Sequence, residues 1–227
     1  MKHAVRLLST FGLKGAMGEL AAQFEAANGA RIDADFAPTL GLLERLRQGE
    51  MADVLILTRE GLDELVAKGA VVAASVVDLA RSHVGIAVKA GAVRPDIASE
   101  EALRKTLLGA RSVAYSRIGA SGIFFADLIK RLGIADAINA KATITTGLTA
   151  ERLITGEADL AVQQISELKQ VAGVEIVGPI PTSLQTPVVF SAGRMAASER
   201  IEAADAFLKF LGSSDTASVL RAAGLEP

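Results

Sequence analysis

The residues with the most chemical capacity in this 227-residue chain cluster where a strand-like run gives way to a helix-like one. Ser9 and Thr10 follow the first strand candidate, and Thr39 follows the second. Arg117, Ala120, Ser121 and Gly122 lie in the stretch AYSRIGASGIFF (114–125), and Gln163 and Gln164 follow a run at 159–162. Hydroxyls, amides, a guanidinium and the free N–H groups of a helix start are all donors, the set that an oxygen-rich anion requires. Each junction alone is also an ordinary turn, because Ser, Thr and Gly cap helices and shape loops. A lone loop arginine is commonly solvated, and the two glutamines could serve loop backbone instead. Four junctions of one make-up are the reason to read them together, as a shared ligand cleft.

Other chemistries are poorly supplied. Cysteine is absent and the histidines are His3 and His83, which leaves no disulfide, no thiolate nucleophile and no histidine-rich metal centre to expect. His83 falls at a junction between lobes and reads as structural. A Ser/His/Asp triad would have to recruit one of those two histidines, and paired carboxylates cannot be placed on one face. Neither a phosphate-binding G-x-x-x-x-G-K-[ST] nor a G-x-G-x-x-G after the first strand occurs, and G-x-S-x-G is missing. No catalytic residue, metal or cofactor is therefore assigned.

Composition narrows the partners further. The net charge is −2, from 24 basic and 26 acidic residues interleaved along the chain, which argues against nucleic acid. No run of about 18 apolar residues suggests a membrane span. The N-terminal stretch has no long apolar region or small-residue cleavage site, so the sequence as given reads as cytoplasmic, or periplasmic if a leader was removed. Half of the residues are hydrophobic (50%) and aromatics make up 4%, which predicts a sizeable aliphatic core.

The elements that must position the junctions alternate in period. Strand candidates at 4–8, 31–36, 53–57, 84–88, 112–116, 142–145 and 159–162 are separated by helix-period segments, the pattern of an α/β fold with a largely parallel sheet. Leu13, Ala16, Met17, Leu20 and Phe24 share one helical face, and Asn28-Gly29 closes that helix. Thr58 is a cap for the next-but-one helix, with Lys68 in its last turn. The segment 174–191, punctuated by Pro179, Pro181 and Pro187, reads as a connection rather than a packed element. Two helices finish the chain.

In their order these pieces resemble type II periplasmic solute-binding proteins, the molybdate-binding branch above all. The resemblance rests on LLSTFGLKGAMGELAAQFEAANG, ADVLILTREGLDELVAKGAV (52–71), GASGIFFADLIKRLGI (119–134), ERLITGEADLAVQQISEL (151–168) and the ending AADAFLKFLGSSDTASVLRAAGLEP. It runs almost end to end. It implies two α/β lobes around a central cleft with crossing hinge strands, residues 1–81 with 193–227 forming one and 82–192 the other. It further implies hinged closure on a small anionic ligand, a monomer, and an ABC importer as partner. Ser9 or Thr10, then Thr39, then the backbone around Ala120 to Gly122 would carry the contacts. Gln163 and Gln164 stand where the branch has an apolar residue followed by tyrosine. That departure, with Arg117 suited to bidentate pairing with carboxylate, implies an organic acid or a differently shaped oxyanion rather than molybdate. Two alternatives accompany this reading: an isomerase of a small tricarboxylate of the aconitate-isomerase kind, with Glu167, His83 or a hydroxyl activated nearby as its base, and a ligand-sensing module.

Overall fold

A computed structural model describes residues 4–227, so His3 lies outside the described residues. The chain divides into two compact units, one made of the N-terminal part through Ser82 together with Val188–Pro227, the other of His83–Pro187. Each carries its own five-stranded sheet and hydrophobic core.

In the first unit the strands are β1 (Val5–Ser9), β2 (Ile32–Phe36), β3 (Val54–Thr58), β4 (Val77–Ser82) and, late in the chain, β10 (Val188–Arg194). Their order is β2-β1-β3-β10-β4, with β1 parallel to β2 and β3, and β10 antiparallel to β3 and β4. Helices α1 (Phe11–Asn28), α2 (Thr39–Arg47) and α3 (Arg59–Ala67) follow the three parallel strands, and α9 (Ile201–Leu211) and α10 (Ala217–Ala222) end the chain.

The apolar face of α1 is buried as its spacing requires, with Leu13, Ala16, Met17, Leu20 and Phe24 in one core with Phe207 and Leu211. Phe24 packs on Phe207 with ring centroids 4.9 Å apart, a tilted pair of the favoured kind. Gly29 adopts φ 71 and donates its N–H to the Glu25 carbonyl, which stops the helix. At the amino ends of the parallel strands Asp53, buried, accepts the Arg6 backbone N–H at 2.8 Å and the Ser198 hydroxyl at 2.7 Å. That carboxylate joins β1, β3 and the segment leading into α9.

The second unit has β5 (Val84–Lys89), β6 (Val113–Tyr115), β7 (Ala142–Ile144), β8 (Leu160–Gln164) and β9 (Val174–Pro179), ordered β7-β6-β8-β5-β9. Here β6 is parallel to β7 and β8, while β5 runs antiparallel to β8 and β9. The helices are α4 (Glu100–Gly109), α5 (Ala120–Arg131), α6 (Ala135–Asn139), α7 (Glu151–Ile154) and α8 (Ile165–Leu168).

Three expectations change. Both sheets are mixed rather than largely parallel, because β10 and β5, each next to one edge strand, run in the opposite sense. The stretch 174–191 is not a bare connection: it holds all of β9 and the start of β10, and its prolines sit at the end of β9 and between the strands, where no ladder N–H is lost from a strand interior. The strand β4 and the short helix α6 have no counterpart in the sequence reading.

The β6–α5 turn depends on a close approach. A Cβ at Gly122 would lie 1.6 Å from the Ser116 carbonyl oxygen, whereas one at Gly18, on the exposed side of α1, would meet nothing within 4 Å. Gly122→Ala should cost about 3 kcal/mol or more, because the obstacle is backbone. Gly18→Ala should instead stabilise by about 0.5–1 kcal/mol. Urea unfolding of the two variants checks the contrast; a mild Gly122→Ala would mean that the turn yields easily.

Candidate functional site

The polar junctions lie at the carboxyl ends of parallel strands, two on each sheet. In the first unit β1 and β2 are neighbours in register, Ser9 beside Phe36, so the β1–α1 and β2–α2 junctions share one sheet edge. In the second, β6 and β8 are parallel neighbours, which brings the β6–α5 and β8–α8 junctions to one edge as well. Such edges present helix N-termini and their unpaired N–H groups.

On the first edge Ser9 is fully buried and donates its hydroxyl to the Thr10 carbonyl at 3.1 Å. Thr10 is the N-cap of α1, its side-chain oxygen accepting the Gly12 N–H at 3.5 Å. Both hydroxyls therefore have intramolecular work, as capping residues do. Thr39 differs. It is the first residue of α2, is buried, and its hydroxyl has no partner among the described residues; the N-cap, Pro38, offers no side-chain bond. Thr58 caps α3 by accepting the Gly61 N–H, as expected.

On the second edge Ser116 organises the turn. Its hydroxyl oxygen accepts the N–H groups of Ile118 at 3.2 Å and Gly119 at 3.3 Å. The N-cap of α5 is Gly119, which has no side chain to give, and Ser121 is the second residue of the helix, buried, rather than the cap. The Gly122 and Ile123 N–H groups are taken by the Gly119 carbonyl, which leaves those of Ala120 and Ser121 at the open end of the helix. Arg117 is exposed, and its guanidinium has no hydrogen-bond or ion-pair partner among the described residues.

The two adjacent glutamines have opposite surroundings, since neighbours on a strand point to opposite faces. Gln163 shares the face of Ala161 and is fully engaged. Its carbonyl oxygen accepts the Thr149 N–H at 2.7 Å and the Thr149 hydroxyl at 3.0 Å, and its amide donates to the Gly147 carbonyl at 3.3 Å. Gln164 shares the face of Val162, in the core with Tyr115 and Phe125. Only 1% of it is exposed, and both polar atoms of its side chain are buried without a partner among the described residues, as is the Ser166 hydroxyl.

One further group belongs to this junction. Glu167 is buried at the third position of α8, from which a carboxylate can turn back toward the N-cap N–H of Gln164. Burial raises its pKa from the ordinary 4.5 to about 7, and the Gln164 backbone N–H and Gln163 side chain offset part of that rise. Sequence reasoning weighed Glu167 only as one candidate base among several and did not single out Thr149; neither carries a signal until the register of β8 is known. Among the described residues no cluster of His, Asp and Glu could hold a metal ion, and no helix is long and apolar enough to cross a membrane.

Known proteins resemble this chain in sequence or in fold. An aconitate isomerase from Pseudomonas sp is 38% identical over 228 residues, covering 97% of this chain and 87% of that protein. The periplasmic molybdate-binding protein of Azotobacter vinelandii superposes with a TM-score of 0.83 at 18% identity, over 98% of this chain and 99% of that one. The sulfate-binding protein SubI of Mycobacterium tuberculosis H37Rv gives 0.75 at 18% identity, over 99% and 87%. These two structures share the type II periplasmic-binding-protein fold seen here. Residues 5–226 match the family described as bacterial extracellular solute-binding protein, and the chain belongs to that family.

Proposed function

We propose that this protein captures a small organic carboxylate at its polar strand-end junctions and delivers it to an ABC importer. The observation that carries the reading is the β6–α5 turn. There an unpaired guanidinium at Arg117 lies three residues before a helix whose first N–H groups no side chain caps. Positive charge, a planar fork of donors and the helix dipole all favour a carboxylate group at that place. Thr39 and Gln164 supply unpartnered polar atoms on the two sheets, and Ser9, Thr10 and Gln163 hold the turns around them.

A thermal-shift series with di- and tricarboxylates, sulfate and molybdate tests the reading. A carboxylate at 100 times its Kd should stabilise the fold by about 2.7 kcal/mol. Arg117→Ala should weaken carboxylate binding at least tenfold and leave the ligand-free melting point unchanged, because the side chain is exposed and makes no hydrogen bond or ion pair among the described residues. Strong stabilisation by molybdate with no effect of any carboxylate would overturn the proposal.

A second reading is supported by Glu167 together with the 38% identity to an aconitate isomerase. Moving a proton along an unsaturated tricarboxylate requires a base with a pKa near the working pH, and a carboxyl raised to about 7 meets that need. The base is the ionised form, so kcat/KM for aconitate should rise with pH up to about 7 and then level off. Glu167→Gln should abolish turnover while retaining binding. An absorbance assay of aconitate showing no turnover by the unaltered protein would eliminate this reading and leave the first intact.

A further inference from the structure

Gln164 is a costly residue as it stands. A primary amide has donors on nitrogen and an acceptor on oxygen, and here both ends are buried with no partner. An unpaired buried polar group costs about 1–3 kcal/mol, and a leucine or methionine of similar size would avoid that. Its neighbour shows that the fold can satisfy a glutamine at this strand end, since Gln163 bonds Thr149 and Gly147 through both of its polar atoms. Gln164 lies on the sheet face that α5 covers, at the edge from which the uncapped start of α5 arises.

We propose that Gln164 reads an O–H group on the bound carboxylate, its amide nitrogen donating to a carboxylate oxygen and its amide oxygen accepting the O–H. The inference rests on the carboxylate-binding reading above and narrows its ligand class. A sulfate or molybdate dianion, or a fully ionised acid without a hydroxyl, offers acceptors alone and would leave the amide oxygen as it is now. Two sources can supply the O–H: the alcohol of a hydroxycarboxylate, or a carboxyl group bound in its protonated form.

Matched pairs decide it. Isothermal titration of citrate against tricarballylate, and of malate against succinate, should show the hydroxy acid bound about 100-fold more tightly at pH 7.5, since a site built around a polar group rejects the analogue that lacks it. If a carboxyl proton is the source, tricarballylate should instead tighten about tenfold per unit of falling pH. In Gln164→Leu both effects should vanish. A pH response arising from Glu167 would persist in that variant, which separates the two groups.

The same variant should melt higher than the unaltered protein without ligand, because it removes an unsatisfied amide; this also reports that it folds. Equal affinity within each pair at every pH, or a preference that survives Gln164→Leu, would overturn the inference and leave carboxylate binding standing. Binding of sulfate or molybdate with no carboxylate bound would overturn both.

Discussion

Every polar group buried at the carboxyl end of a parallel strand must find a partner, and this constraint shapes both units. The strand stops there, so its last groups cannot all be satisfied by a ladder, and the next helix adds N–H groups of its own. In this chain most of that demand is met locally. Ser9 turns to the Thr10 carbonyl, Ser116 gathers two loop N–H groups, and Gln163 ties the 147–149 loop to β8. Among the described residues, what is left over after these local solutions is short: Thr39, Ser82, Arg117, the first N–H groups of α5, Gln164 and Ser166. Within each unit, that remainder supplies the donors that the proposed function draws on.

This view separates residues that composition alone treats alike. Ser9, Thr10 and Thr39 are all small hydroxyl residues at strand ends, yet the first two are consumed by the turn and the third is not. Gln163 and Gln164 are identical and adjacent, yet one is scaffold and the other unsatisfied. Glu167 belongs with neither group. Its carboxyl supports the start of α8, and its burial also raises its pKa to about 7.

Much of the fold is legible in the sequence because its strongest signals are local. The 3.6-residue spacing from Leu13 to Phe24, the Gly29 stop and the Thr58 cap each depend on a few neighbouring residues, and each stands where the pattern puts it. The strands β4, β9 and β10 depend on partners far along the chain. Their edges carry prolines and charged residues, so their short apolar runs resemble linkers until β3 and β5 are there to pair with. The site divides in the same way. The four junctions can be found from residue type, whereas the separate fates of Gln163 and Gln164 follow from the register of β8, and the environment of Glu167 follows from packing. Arg117 was the conspicuous residue in the sequence and remains so, since nothing in its own unit engages it.

The path of β10 bears on how the protein is made. It lies between β3 and β4 in the first sheet, yet it is encoded after the whole second unit, His83–Pro187. During synthesis the first 82 residues emerge without the strand that joins β3 to β4. The inserted unit is contiguous, and its last strand, β9, precedes β10 along the chain. Domains generally fold as they become complete. The later-finished unit is thus the one that begins the chain, and its unpaired β3 and β4 edges are the surfaces that a chaperone would have reason to cover in the interval.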